Sequence, residues 1–126
     1  MDTTVISTSP AIVRHELFSF SDDAAITRGV ANAVAVVEQA AQTYGTLALL
    51  LDFSRLADVE TYRMSAHRIW AVGFKENDSV RRHIRNVAVV ANDSPKFRAE
   101  KEVMETDTQR YFTDAAEAVG WLKTTR

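Results

Sequence analysis

Acidic and imidazole side chains are the first candidates for chemistry. Asp22-Asp23 follow one extended-looking stretch and Asp52 ends another, a pattern by which carboxylates can gather a magnesium ion and accept a phosphoryl group. The spacing argues against that use. Asp52 closes the strand directly after the first helix, one strand too early for an acceptor. The last strand runs into Tyr111-Phe112-Thr113 with no lysine behind it. Asp22 and Asp23 are better read as helix-start residues, whose carboxylates suit the positive end of a helix dipole. His15, His67 and His83 are too far apart in sequence for a local metal pair, and each reads as an ordinary surface or satisfied histidine. Gly29, Gly45, Gly73 and Gly120 are scattered, so neither a phosphate-cradling loop nor a dinucleotide fingerprint can be written. There is no Gly-x-Ser-x-Gly elbow. With no cysteine, thiol nucleophiles, disulfides and zinc ribbons are excluded. No catalytic residue, metal ligand or cofactor is expected, and the chain is read as non-enzymatic.

Charge offers a different kind of candidate. Residues 1–61 carry three basic and eight acidic residues, a net of −5; residues 62–85 carry six and two, a net of +4; residues 86–126 carry six and seven, a net of −1. The basic block holds Arg63, Arg68, Lys75, Arg81, Arg82 and Arg85, with His67 and His83 among them. Such a patch suits a phosphate, an acidic partner or an anionic surface, and equally a solvated helix end. The whole-chain pI of about 5.9 is too low for a nucleic-acid-binding footprint. No apolar run reaches the roughly 20 residues a membrane span needs. Met1-Asp2-Thr3-Thr4 lacks the charge and apolar stretch of a signal peptide. The cytoplasm is therefore the expected setting.

The elements that must position these residues read as one α/β domain over residues 1–126, with no linker, repeat or low-complexity tract. Thr4–Thr8 and Ala11–Phe20 suit two strands around a Ser9-Pro10 turn. Ser21-Asp22-Asp23 starts a helix whose apolar stripe is Ile26, Val30, Ala33, Val34, Val37 and Ala41, and Gly45 ends it. Thr46–Phe53 is apolar on both faces, as a doubly covered strand should be. A second helix is expected from Val59 or Glu60, with Tyr62, Ala66, Ile69, Trp70 and Gly73 turned inward, and Asn77-Asp78-Ser79 marks a break. Val87–Ala91 is the next buried strand. Asp93-Ser94-Pro95 starts a third helix with Phe97, Lys101 and Met104 on one face. Gln109–Phe112 is a short strand, and Thr113 caps a last helix bearing Ala115, Ala118, Val119 and Leu122. The expected order is β-β-α-β-α-β-α-β-α: a mostly parallel sheet of four to five strands with about four helices.

This order, with three stretches in it, resembles the STAS domain, the family of the sporulation anti-sigma-factor antagonists, and more closely its divergent bacterial SpoIIAA-like relatives. The stretches are Leu49–Leu56, running from an apolar strand through Asp52 into a loop; Arg85–Val90, the strand before the third helix; and Tyr111–Leu122, with its aromatic strand end, acidic helix start and closing Trp121-Leu122. The likeness extends over about residues 5–124. It implies a regulatory or binding module. In the phosphoswitch branch a partner kinase phosphorylates a serine in the loop after the central strand, at the start of the next helix. The matching positions here are Glu60, Thr61, Tyr62 and Arg63, which makes Thr61 the implied phosphoacceptor. Tyr62 and Arg63 depart from the small residue and glycine of that pattern and crowd a kinase's approach. A phosphate on Thr61 would add about −1.5 to −2 charge at a helix start with Arg63 nearby.

The leading expectation is a module that binds a protein of the kinase or anti-sigma type, or a small apolar ligand, near loop 54–63 and helix 59–74. The candidate binding residues are Asp52, Ser54, Glu60, Tyr62, Arg63, His67 and Trp70. The divergent relatives also resemble the lipid-binding Sec14-type fold, which adds a lipid pocket lined by Tyr62, Trp70 and Phe74 as the alternative. At helical spacing such residues are equally a core stripe. The second helix and N-terminal hairpin offer a patch on which a weak homodimer can form.

Overall fold

A computed structural model describes residues 1–56 and 62–124. Five strands form one sheet whose spatial order follows the chain: β1 (Asp2–Thr8), β2 (Ala11–Glu16), β3 (Leu47–Asp52), β4 (Ile84–Val90) and β5 (Gln109–Phe112). β1 and β2 make an antiparallel hairpin turning at Ser9-Pro10, with Thr8 opposite Ala11. β2, β3, β4 and β5 are parallel. Five helices connect them: α1 (Asp23–Tyr44), α2 (Met64–Trp70), α3 (Asp78–Arg81), α4 (Pro95–Met104) and α5 (Ala115–Thr124). This is a mostly parallel α/β sheet with one helix more than expected. The extra one, α3, lies where Asn77-Asp78-Ser79 suggests a break. Asn77 Oδ1 accepts a hydrogen bond from the Ser79 N–H, so residues that favour a turn here start a short helix instead.

Several local signals act as the sequence suggests. The Asp22 carboxylate accepts from the N–H groups of Ala24 and Ala25 at the start of α1. Gly45 ends that helix at φ 80°, its N–H donating to the Ala41 carbonyl, a conformation that glycine adopts without steric cost. Ser94 caps α4 through the Phe97 N–H, with Pro95 in the first turn. At α5 the cap is one residue later than expected. Asp114, not Thr113, accepts from the Ala116 N–H, and its carbonyl takes the Ala118 N–H.

Period-two alternation assigns each strand residue to a face. On the inner face, Val13, Leu47, Leu49, Leu51, Val89 and Tyr111 pack against α1, α2, Val80 of α3 and Phe97 of α4. On the outer face, Ile12, Ala48, Leu50, Ala88 and Val90 meet Ala118 and Leu122 of α5. Four helices thus share one face and one covers the other.

The α1 stripe is Ile26, Val30, Ala33, Val37 and Ala40, with Val34 and Ala41 at its margin. The helical register of α2 opens into a π turn at Ala71–Lys75, closed by the Glu76 N–H on the Ala71 carbonyl. Trp70 and Phe74, four residues apart across its start, are both buried. Gly73 lets this segment lie against α1, since a Cβ there would come 2.7 Å from Val30 Cγ1. The described part of the second helix begins at Met64, and Tyr62 precedes it, 41% exposed rather than on an inward stripe. The expected start at Val59 or Glu60 lies outside the described residues.

Candidate functional site

The helices of the inner face cover it unevenly. α1 and α2 lie over β2 and β3 with full apolar stripes. α4 has five charged residues among ten, and Phe97 is its one buried side chain. Met104 is 45% exposed, and Lys101 is exposed and reaches Glu105 at 4.0 Å, so only Phe97 of the expected α4 face packs inward. Between α2 and this loosely anchored helix, a cavity of about 460 Å³ opens over the carboxyl ends of β3 and β4. Open α/β sheets commonly bind ligands at the carboxyl ends of their strands, and the volume lies in the usual range for small-molecule sites. Its floor is Leu51, Val89 and Tyr111; Trp70, Phe53 and Phe97 form much of its wall.

One side of this wall is an aromatic cluster. Phe20 meets Trp70 at 5.7 Å between ring centroids, and presents an edge-to-face contact to His67 at 5.1 Å and to Tyr62 at 5.8 Å. Phe53 crosses Trp70 edge-to-face at 5.7 Å. Such geometries fix aromatic rings against one another. Burial, reinforced by the charges of Lys75 and Lys96 and opposed by Glu76, lowers the His67 pKa. At neutral pH its imidazole is therefore uncharged and belongs to the apolar wall.

Behind the wall, Trp70 is tied to a second histidine. His15 is fully buried, its ring stacked on Phe74 at 4.1 Å. The Trp70 Nε1–H donates to His15 Nε2 at 2.9 Å, and His15 Nδ1 lies 2.8 Å from Thr3 Oγ1. An indole N–H can only donate. Nε2 must therefore carry the lone pair, and Nδ1–H donates to Thr3. Burial, with the N-terminal charge, pushes the His15 pKa down to about 3. This histidine positions Trp70 and stays neutral, and it answers to the satisfied kind.

Asp52 and Ser54 point away from the cavity. Asp52 is on the outer face, where Arg14 Nη2 bridges Asp52 Oδ2 at 2.7 Å and Glu16 Oε2 at 2.8 Å. The Ser54 hydroxyl and N–H both donate to Asp52 Oδ1. Burial works to raise the Asp52 pKa, but the hydrogen bonds from Ser54 and Arg14 outweigh it and hold the carboxyl below its ordinary value. Arg55 adds a contact to Glu16 at 3.8 Å and lies over the Phe18 ring. These groups fasten the loop after β3 to β2.

Of the residues singled out from sequence, Tyr62, His67 and Trp70 come together on the cavity. Phe74 lines an adjoining cavity instead. Arg63 pairs with Asp23 at 3.4 Å, and its N–H donates to the Phe20 carbonyl. Glu60 and Thr61 lie outside the described residues. Lys75 of the basic block also lines the cavity, together with Asn92, Lys96 and Phe97, which sequence reasoning did not connect with a site. The excess of charge in α4 was the available signal that this helix would cover its strands poorly.

Among the described residues, no group of three His, Cys, Asp or Glu side chains is arranged to hold a metal ion, and no helix is long and apolar enough to cross a membrane. No protein-family model, curated protein or solved structure matches the chain.

Proposed function

We propose that this chain is a non-enzymatic, STAS-like binding module of the cytoplasm that takes a small, largely apolar molecule into the inner-face cavity. The observation carrying this reading is the cavity of about 460 Å³ at the carboxyl ends of β3 and β4, with Leu51, Val89 and Tyr111 beneath it and Trp70 and Phe97 beside it. The STAS-like part draws support from the element order, with an antiparallel β1 at the edge of four parallel strands. The mechanism is burial. An apolar ligand gains roughly 25 cal/mol for each Å² it removes from water, and walls held by α1, α2 and the His15–Trp70 pair lose little freedom in receiving it.

Titration calorimetry with 1-decanol tests the reading. The wild-type protein should bind one equivalent. Val89→Phe puts a ring into the cavity from its floor and should weaken binding tenfold or more while the fold survives, as judged by circular dichroism. Absence of binding to the wild type, or equal binding by a folded Val89→Phe variant, would overturn it.

A further inference from the structure

The first cavity is not isolated. A second, of about 420 Å³, adjoins it, and both are lined by Leu51, Lys75, Met104 and Gln109. They follow one another along the inner face of β4, the first beside Val89 and Ala91 at its carboxyl end and the second beside Ile84 and Val87 at its amino end, and we treat the pair as one groove. The same weakly anchored α4 leaves both parts open. The two ends differ in chemistry. The carboxyl end is walled by aromatic rings. The amino end presents Lys75, Arg81 and Arg85 against a single carboxylate, Glu76. Lys96 at the aromatic end is answered by Glu100 at 3.9 Å. Among the described residues, Lys75, Arg81 and Arg85 have no ion-pair partner. Arg85 Nε is shielded from solvent and has no hydrogen-bond acceptor. A buried guanidinium donor left unmade is costly, and an anionic oxygen is its natural complement.

We propose that the groove takes a single-chain amphiphile with an anionic head, its chain along Val89 and Trp70 and its head at Lys75, Arg81 and Arg85. This rests on the binding reading above and adds the charge of the ligand and the end at which it is held. It also gives a use to the basic block of residues 62–85. The head is a carboxylate or a phosphate, since a guanidinium fork donates to two oxygens of either.

Four decyl compounds, each kept below its micelle concentration, decide the matter by calorimetry: decyl phosphate, decanoate, 1-decanol and decyltrimethylammonium. At least one anion should bind tenfold or more tighter than 1-decanol, and the cation weaker than 1-decanol. The tighter of the two anions identifies the head. In Arg81→Gln/Arg85→Gln this preference should shrink below threefold with 1-decanol affinity unchanged, whereas Arg81→Lys/Arg85→Lys should keep most of it. An anion preference that survives the glutamine pair, or equal binding of cation and anion, would overturn the proposal. Binding of 1-decanol without anion preference would remove this inference alone. Failure of all four to bind would remove the binding reading as well.

Discussion

The inner face of the sheet has a closed half and an open half. Over β2 and β3, α1 supplies five buried residues and α2 with its π turn adds Ala66, Trp70 and Phe74. Polar groups trapped there, Thr3, His15 and the Trp70 N–H, satisfy one another. Over β4, β5 and the neighbouring edge of β3, α4 supplies Phe97 alone, and the groove remains beside Leu49 and Leu51. The strands beneath differ less than the helices: Val87, Val89 and Tyr111 face the groove as apolar residues, joined by Arg85 and Gln109. Closure is decided by the helix, because a sheet face is sealed only when the element above it carries a stripe wide enough to reach across.

The comparison can be broken most forcefully at Phe74, which is fully buried and stacked on His15. Phe74→Ala should cost about 3–5 kcal/mol in chemical denaturation, the usual range for such a truncation. A loss under ~1 kcal/mol would mean that the closed half is not tightly packed. Gly73→Ala should cost about 1–3 kcal/mol by overpacking against Val30. In a double-mutant cycle with Val30→Ala, the penalty of the added methyl should largely vanish. Additive costs would place the strain elsewhere.

A smaller effect concerns acid. The unfolded chain protonates His15 near its ordinary value of 6.5, the native protein only near 3. Between these values the unfolded state holds one more proton, so native stability falls as pH drops, by about 1.4 kcal/mol per unit from this group. His15→Gln can accept from Trp70 and donate to Thr3 without titrating. Its stability should therefore be flatter than wild type between pH 6 and 4.5. An unchanged slope would show that His15 is not held neutral. Asp52 acts lower on the scale, because its carboxyl lies below the ordinary carboxylate value. The smallest effect belongs to the open half. Met104, nearly half exposed, should cost less than about 1 kcal/mol on replacement by alanine.

Much of this division was readable from the chain. The apolar run of β3, the Asp22 and Ser94 caps and the stripe of α1 are local signals, and each acts where it stands. The candidate site was legible at Tyr62, His67 and Trp70, because they follow one another at helical spacing on the segment after β3. The His15–Trp70 bond joins residues 55 apart, and no local pattern announces it. Asp52, at the end of its strand, reads as a group open to a ligand, yet alternation along β3 turns it to the outer face, where Glu16 lies across from it on β2 and Arg14, two residues back, reaches its carboxylate. The groove itself is an absence of side chains, and only the charge density of α4 hinted at it.

Amide chemical-shift mapping with 1-decanol tests the contrast between the two halves most directly. Perturbations confined to Val89, Ala91, Phe97, Tyr111 and the Trp70 indole, with Val13, Ala33 and the α5 face unmoved, are the predicted result. Shifts centred on α5 or on the α1 side of the sheet, or none at saturating alcohol, would contradict it.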